Sequence, residues 1–113
     1  MTLYHPSAEQ IRLEDVLAAM GHPVRMQILR TLAQAGECTC KAVPLEISKS
    51  TATHHWRVLR EAGVIHQRPV GRTMLTTLRR DELEARFPGL LEVILGACTE
   101  PAVSAAVEAA ATR

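Results

Sequence analysis

Apolar residues in the first third of the chain recur at helical spacing. Leu13, Val16, Leu17 and Met20 form one stripe, which Gly21 ends. Pro23 stands where a first-turn proline is tolerated, and Val24, Ile28, Leu29 and Leu32 continue as a second stripe that stops near Gly36. From Cys38 to Ile47 the pattern predicts one short helix, with Pro44 limiting where its regular turns lie. Ser48 suits the N-cap of a further helix over 48–62, closed by Gly63. The period then changes. Val64–Val70 and Thr73–Arg79 read as two strands joined by a tight turn at Gly71, with Met74, Thr76 and Leu78 alternating against Thr73, Leu75 and Thr77. Asp81 and Glu82 suit another helix start, Pro88-Gly89 interrupts, and Leu90, Leu91, Ile94 and Leu95 resume the helical period. Pro101 opens a last Ala-rich helix with Val103, Ala106, Val107 and Ala110 on one side.

Two short helices ahead of a hairpin describe a helix-turn-helix with a wing. The expected fold is therefore mainly α with a two-stranded β-wing, a winged helix-turn-helix. The 113 residues fit one domain. Its parts are N-terminal helices at 9–35, the helix-turn-helix at 38–62, the wing at 64–79 and C-terminal helices at 81–112.

Composition changes this picture little. Hydrophobic residues make up 47% and charged residues 22%, and the aromatics are Tyr4, Trp56 and Phe87 alone, so the core must be aliphatic. No apolar run approaches the ~20 residues that span a bilayer. Glu9, Glu14 and Asp15 occupy the region where a signal peptide would be basic and then apolar, which points to a cytoplasmic protein with no membrane partner. Three cysteines, an odd number, argue against a disulfide framework.

Charge distribution says more than the net value of +1. Between residues 48 and 80, Lys49, Arg57, Arg60, Arg68, Arg72, Arg79 and Arg80 face Glu61 alone, a local excess of +6. The flanking segments are both net acidic. A cationic surface confined to one contiguous third is the footprint of a phosphate-facing interface.

The helix predicted at 48–62 sorts into two sides at about 100° per residue. Thr51, Ala52, His55, Val58, Leu59 and Ala62 fall on one side; Lys49, Ser50, Thr53, His54, Arg57, Arg60 and Glu61 fall on the other. Short hydroxyls and cations contact phosphates and base edges, so the second side is the one to face double-stranded DNA. Ser48, Lys49, Ser50, Thr51, Thr53, His54, Arg57 and Arg60 are the candidate contacts, with Arg57 the best placed for guanine. Arg68, Arg72 and Thr73 extend the surface to the hairpin tip, where contacts would be electrostatic and salt-sensitive. His55 and Trp56 belong instead to packing. The competing reading is a winged-helix protein-interaction module without DNA binding. An enzyme is disfavoured, since no glycine-rich phosphate loop or paired nucleophile and base is present.

Two stretches resemble the ArsR-type (arsenic-repressor-like) regulators: LAAMGHPVRMQILRTL at 17–32, and ISKSTATHHWRVLREAGVI at 47–65 with the wing behind it. The resemblance covers roughly residues 10–95 and implies a homodimer, formed through N- and C-terminal helices, that represses its promoter and releases DNA when an inducer binds. Leu13–Met20 and Leu90–Ala110 carry more apolar surface than a three-helix core needs, which supports the dimer independently. Two recognition helices would then meet major grooves about 34 Å apart.

The resemblance also raises the question of a sensor. Residues 86–113 contain neither histidine nor aspartate, so the family's zinc-type site on the C-terminal helix is not expected. Glu37-Cys38-Thr39-Cys40 resembles the start of the family's Cys-x-Cys motif, but Val43 stands where a third thiolate would fall. Cys38, Cys40 and Cys98 would suit a thiophilic metal or metalloid inducer, or a thiol redox switch, or they are structural. On a regular helix Cys38 and Cys40 would point about 200° apart, so joint chelation would need a distorted backbone or another chain.

Overall fold

The computed structural model describes residues 3–99 except 44. Among them, α1 (Leu13–Met20) and α2 (Pro23–Ala35) follow the two N-terminal stripes. Pro23 occupies the first turn of α2, and His22 caps that helix by accepting the Val24 N–H on Nδ1 at 3.1 Å. Ile28, Leu29 and Leu32 bury the inner face of α2. α1 buries Val16, Ala19 and Met20 but leaves Leu13 and Leu17 half-exposed.

The segment from Cys38 to Ile47 is not the short helix its sequence suggested. Cys38–Thr39 form a strand, β1, and a single 3-10 turn follows at Cys40–Ala42. The reason is non-local. β1 pairs antiparallel with β3 (Thr73–Leu78), setting Cys38 opposite Thr76 and Thr39 opposite Leu75. β3 pairs on its other side with β2 (Ile65–Val70), so the sheet order among the described residues is β1-β3-β2. The wing thus has a third strand beyond the expected hairpin.

α3 (Lys49–Glu61) matches the predicted recognition helix within a residue. Ser48 caps it by accepting the Thr51 N–H at 3.2 Å. At its far end Gly63 takes φ 88°, and the Val64 N–H reaches back to the Leu59 carbonyl at 3.0 Å, the six-to-one bond that closes a helix around a left-handed residue. A Cβ at Gly63 would also come within 2.5 Å of the Ile11 side chain, so glycine is required twice over. The turn at the wing tip is Gly71-Arg72, with positive φ at Gly71 alone (61°), as a two-residue hairpin loop of one primed type demands.

α4 (Arg80–Arg86) and α5 (Leu90–Thr99) complete the described fold, and α5 packs on α2. Leu59, Val64, Ile65, Leu83 and Leu91 join the α1 and α2 residues in one aliphatic core. The chain around His5 lies against β2, one edge of the sheet. There His5 Nε2 accepts the Gln67 N–H at 3.0 Å and its ring stacks on His66 at 4.3 Å. Arg79, 9% exposed, ties the same segment down by donating to the Pro6 carbonyl at 2.7 Å and pairing with Glu82. That pairing holds the Glu82 carboxyl below its usual range. A covered edge removes a template for unwanted strand pairing. The Ala-rich helix expected from Pro101 lies outside the described residues.

Candidate nucleic-acid interface

α3 presents two contrasting sides. Inward, His55, Trp56 and Leu59 are buried. His55 Nδ1 is 3.0 Å from Arg25 Nη1, and its ring lies 4.5 Å from that of His22. An arginine can only donate, so Nδ1 accepts and the proton of a neutral ring sits on Nε2. Burial first, then the neighbouring His22, Arg25 and His54, push the His55 pKa down. His55 and Trp56 are therefore packing residues; the helical periodicity put His55 on the inner side and Trp56 at the boundary of the two faces.

Outward, Lys49, Ser50, Thr53, His54 and Arg57 are all exposed. Ser48, Ser50 and Thr51 form a hydroxyl cluster at the helix start, with Ser48 Oγ 2.8 Å from Thr51 Oγ1 and 3.3 Å from Ser50 Oγ. Thr51 is exposed although the helical wheel put it on the inner side; at the first turn no other element covers it. Thr53 Oγ1 donates to the Lys49 carbonyl at 2.9 Å, which leaves its lone pairs and methyl group facing out.

The wing tip shares this surface. Arg72 and Thr73 are exposed and, with Lys49, Thr53 and Arg57, border one cavity of about 570 Å³ between α3 and the hairpin. The α3 side and the wing tip thus look onto the same space.

Two expected contacts depart from this arrangement. Arg60 is only half exposed: its Nη1 donates to Gln67 Oε1 at 2.9 Å, so it leans toward the sheet and lines the same cavity from within instead of projecting from the helix. Arg68 sits on the wing but pairs with Glu37 at 3.3 Å, so its charge is already answered. The helical wheel gives a direction from the axis and cannot show what another strand sets beneath a side chain. Gln67 itself was missed. It is 4% exposed, and its amide nitrogen donates to Thr76 Oγ1 at 3.2 Å and to Cys40 Sγ at 3.4 Å. The signal was available, because Gln67 is two residues from Ile65 and must share its inward face.

The cysteines occupy a different setting from the one expected. Cys38 is in β1 and Cys40 begins the 3-10 turn, both half-buried and neither disulfide-bonded. Burial, then the neighbouring Cys40, pushes the Cys38 thiol pKa up, the opposite of an activated thiolate. Among the described residues no group of three His, Cys, Asp or Glu side chains is placed to hold a metal ion. The side chain of Cys98 lies outside the described residues.

A buried aliphatic body, a capped helix with one polar cationic side, and a hairpin tip beside it define a winged helix-turn-helix DNA-binding protein. Comparison with known proteins carries this further. Residues 20–68 match a family model described as a helix-turn-helix domain. A Bacillus subtilis protein described as an uncharacterized HTH-type transcriptional regulator, YceK, is 37% identical over 91 residues, which span 78% of this chain and 90% of that protein. The putative arsenical resistance operon repressor ArsR of Halobacterium salinarum is 40% identical over 79 residues, covering 66% of this chain and 61% of its own length. A crystal structure of an ArsR family transcriptional regulator superposes with a TM-score of 0.61 at 22% identity, covering 79% of this chain and 91% of that one, a likeness of fold. The chain belongs to the ArsR-type helix-turn-helix transcriptional regulators. No helix among its described residues is long and apolar enough to cross a membrane.

Proposed function

We propose that this protein is a cytoplasmic homodimeric repressor whose α3 enters the major groove of its operator and whose wing tip rests on the adjacent backbone. Lys49, Ser50, Thr53, His54 and Arg57 are the groove-facing set. Ser48 and Thr51 hold the helix start against a phosphate, and Arg72 and Thr73 contact the backbone from the wing. Arg60, turned toward Gln67, is not assigned to DNA, and Arg68 contributes only once it leaves Glu37. The observation that carries the reading is the exposure of Thr53 and Arg57 on the same cavity as Arg72 and Thr73.

The dimer reading rests on unpartnered apolar surface. Leu13, Leu17 and Val93 are 42%, 48% and 70% exposed, and Leu13, Phe87, Leu90 and Val93 line one shallow groove. A second copy is the partner that would cover this face and also set two α3 helices on successive grooves. Derepression by an inducer is the expected mode of regulation. Half-buried thiols without a described third ligand give Cys38 and Cys40 no special claim to be its sensor.

The test is binding to a duplex selected from a random pool. Arg57→Ala is expected to weaken the selected duplex by ~1–3 kcal/mol while binding to unrelated duplex changes far less. Equal affinity of wild type and Arg57→Ala for the selected duplex would remove Arg57 from base reading.

A further inference from the structure

Arg60 poses a problem that the fold leaves unsolved. Its guanidinium is half-buried, its Nη1 donates to Gln67, and its Nε–H is buried with no hydrogen-bond partner. Among the described residues the ion pairs are Arg12–Glu14, Arg68–Glu37 and Arg79–Glu82, so no carboxylate answers Arg60. A guanidinium cannot be deprotonated in a protein, and a charge drawn out of water is unfavourable unless an opposite charge compensates it. Gln67 does not supply that charge. It is neutral, its oxygen serves Arg60, and both amide hydrogens are directed to Thr76 and Cys40.

The neighbouring cavity has the room and the chemistry for what is missing. At about 570 Å³ it falls in the range of small-molecule sites. Lys49, Arg57 and Arg72 make its rim cationic, whereas Trp56, Ala52 and Met74 give it an apolar wall. A cationic end beside an apolar wall selects a ligand with an anionic head and an apolar body.

We propose that the floor of this groove binds a small organic carboxylate, its head on Arg60 and its body against Trp56 and Met74. A carboxylate fits the guanidinium fork through paired charge-assisted hydrogen bonds. Inorganic phosphate would answer the charge but leave the apolar wall uncovered. The bound ligand occupies the space that Arg57 and Arg72 border, so ligand and DNA exclude one another. Only that exclusion rests on the DNA-binding reading; the site itself does not.

The test is calorimetric titration of the DNA-free, full-length protein with octanoate, 1-octanol and inorganic phosphate. One saturable octanoate site per chain is expected, about ten-fold or more tighter than either control, as one charged hydrogen-bonded pair would give. Arg60→Gln should lose at least that factor, and the Arg60 Nε–H resonance of the wild type should shift on octanoate addition. If Arg60→Gln fails to fold, Met74→Trp, which fills the cavity from the wing, should weaken binding comparably. Absence of a saturable site, or octanoate affinity unchanged in a folded variant, overturns the proposal. Phosphate binding as tightly as octanoate overturns it too, reducing the cavity to a seat for the DNA backbone. Octanoate displacing DNA from the wild type supports the exclusion, and DNA binding insensitive to saturating octanoate refutes it. A protein that takes octanoate at Arg60 but binds no DNA would sustain the site and sink the repressor reading.

Discussion

The two sides of α3 differ in residue type and also in whether their polar groups are already satisfied. On the inner side His55 meets Arg25 and His22, and Trp56 and Leu59 are packed. Two positions away, Arg57 is exposed with no ion pair among the described residues, and Thr53 engages only its own helix. Satisfied groups hold the helix in place; unsatisfied ones remain available for a partner. The wing repeats the contrast, with Arg68 spoken for by Glu37 and Arg72 exposed at the tip with no ion pair among the described residues.

The sharpest way to break this contrast is to remove the inner side. Leu59 is fully buried, and Leu59→Ala should destabilise the fold by ~2–5 kcal/mol, measured by denaturant unfolding. Arg57→Ala, by comparison, should leave stability within about 0.5 kcal/mol while costing operator affinity, because it lies on the surface away from any packed or paired feature. If the two variants affected stability equally, the division of α3 into a structural and a functional side would be wrong.

A milder separation uses pH. The depressed His55 pKa means that the folded state resists a proton that the unfolded chain accepts near 6.5. The stability from neutral His55 is therefore present above pH 6.5 and lost as pH falls through and below it. His5, lowered by burial and then by His66, acts in the same direction. Thermal unfolding followed downward in pH should show this loss, and His55→Gln should flatten part of it. A variant with the wild-type pH profile would show that His55 carries none of this loss.

The smaller effects belong to the wing. Arg72→Ala should weaken DNA binding about equally across sequences and reduce the slope of log affinity against log salt by about 1. Glu37→Gln, which releases Arg68, should change stability by less than about 1 kcal/mol, as expected of an exposed pair. A sequence-selective loss in Arg72→Ala would move base reading from α3 to the wing.

Much of this arrangement is legible in the sequence. Ser48 and Gly63 are local signals, a cap and a left-handed stop, and they bounded α3 within a residue. Gly71 between two strand-like runs located the hairpin for the same reason. Where the sequence misled, the cause was distant in the chain. Cys38 and Thr39 become a strand because β3 offers them an edge some 36 residues later, and no local periodicity announces that pairing. Arg60 belonged by angle to the outer set, yet Gln67, in strand β2, draws it inward along the cavity between helix and hairpin. The candidate interface was therefore readable where exposure decides it and unreadable where a partner strand does.

The DNA-contacting surface can be mapped directly by NMR, recording amide shifts as a selected duplex is added. The largest perturbations are expected at Lys49–Arg57 and at Arg72 and Thr73, with the His22 and Arg25 amides nearly unmoved. Perturbations concentrated at Leu13, Leu17 and Val93, with α3 and the wing tip silent, would contradict the assignment of this surface to DNA.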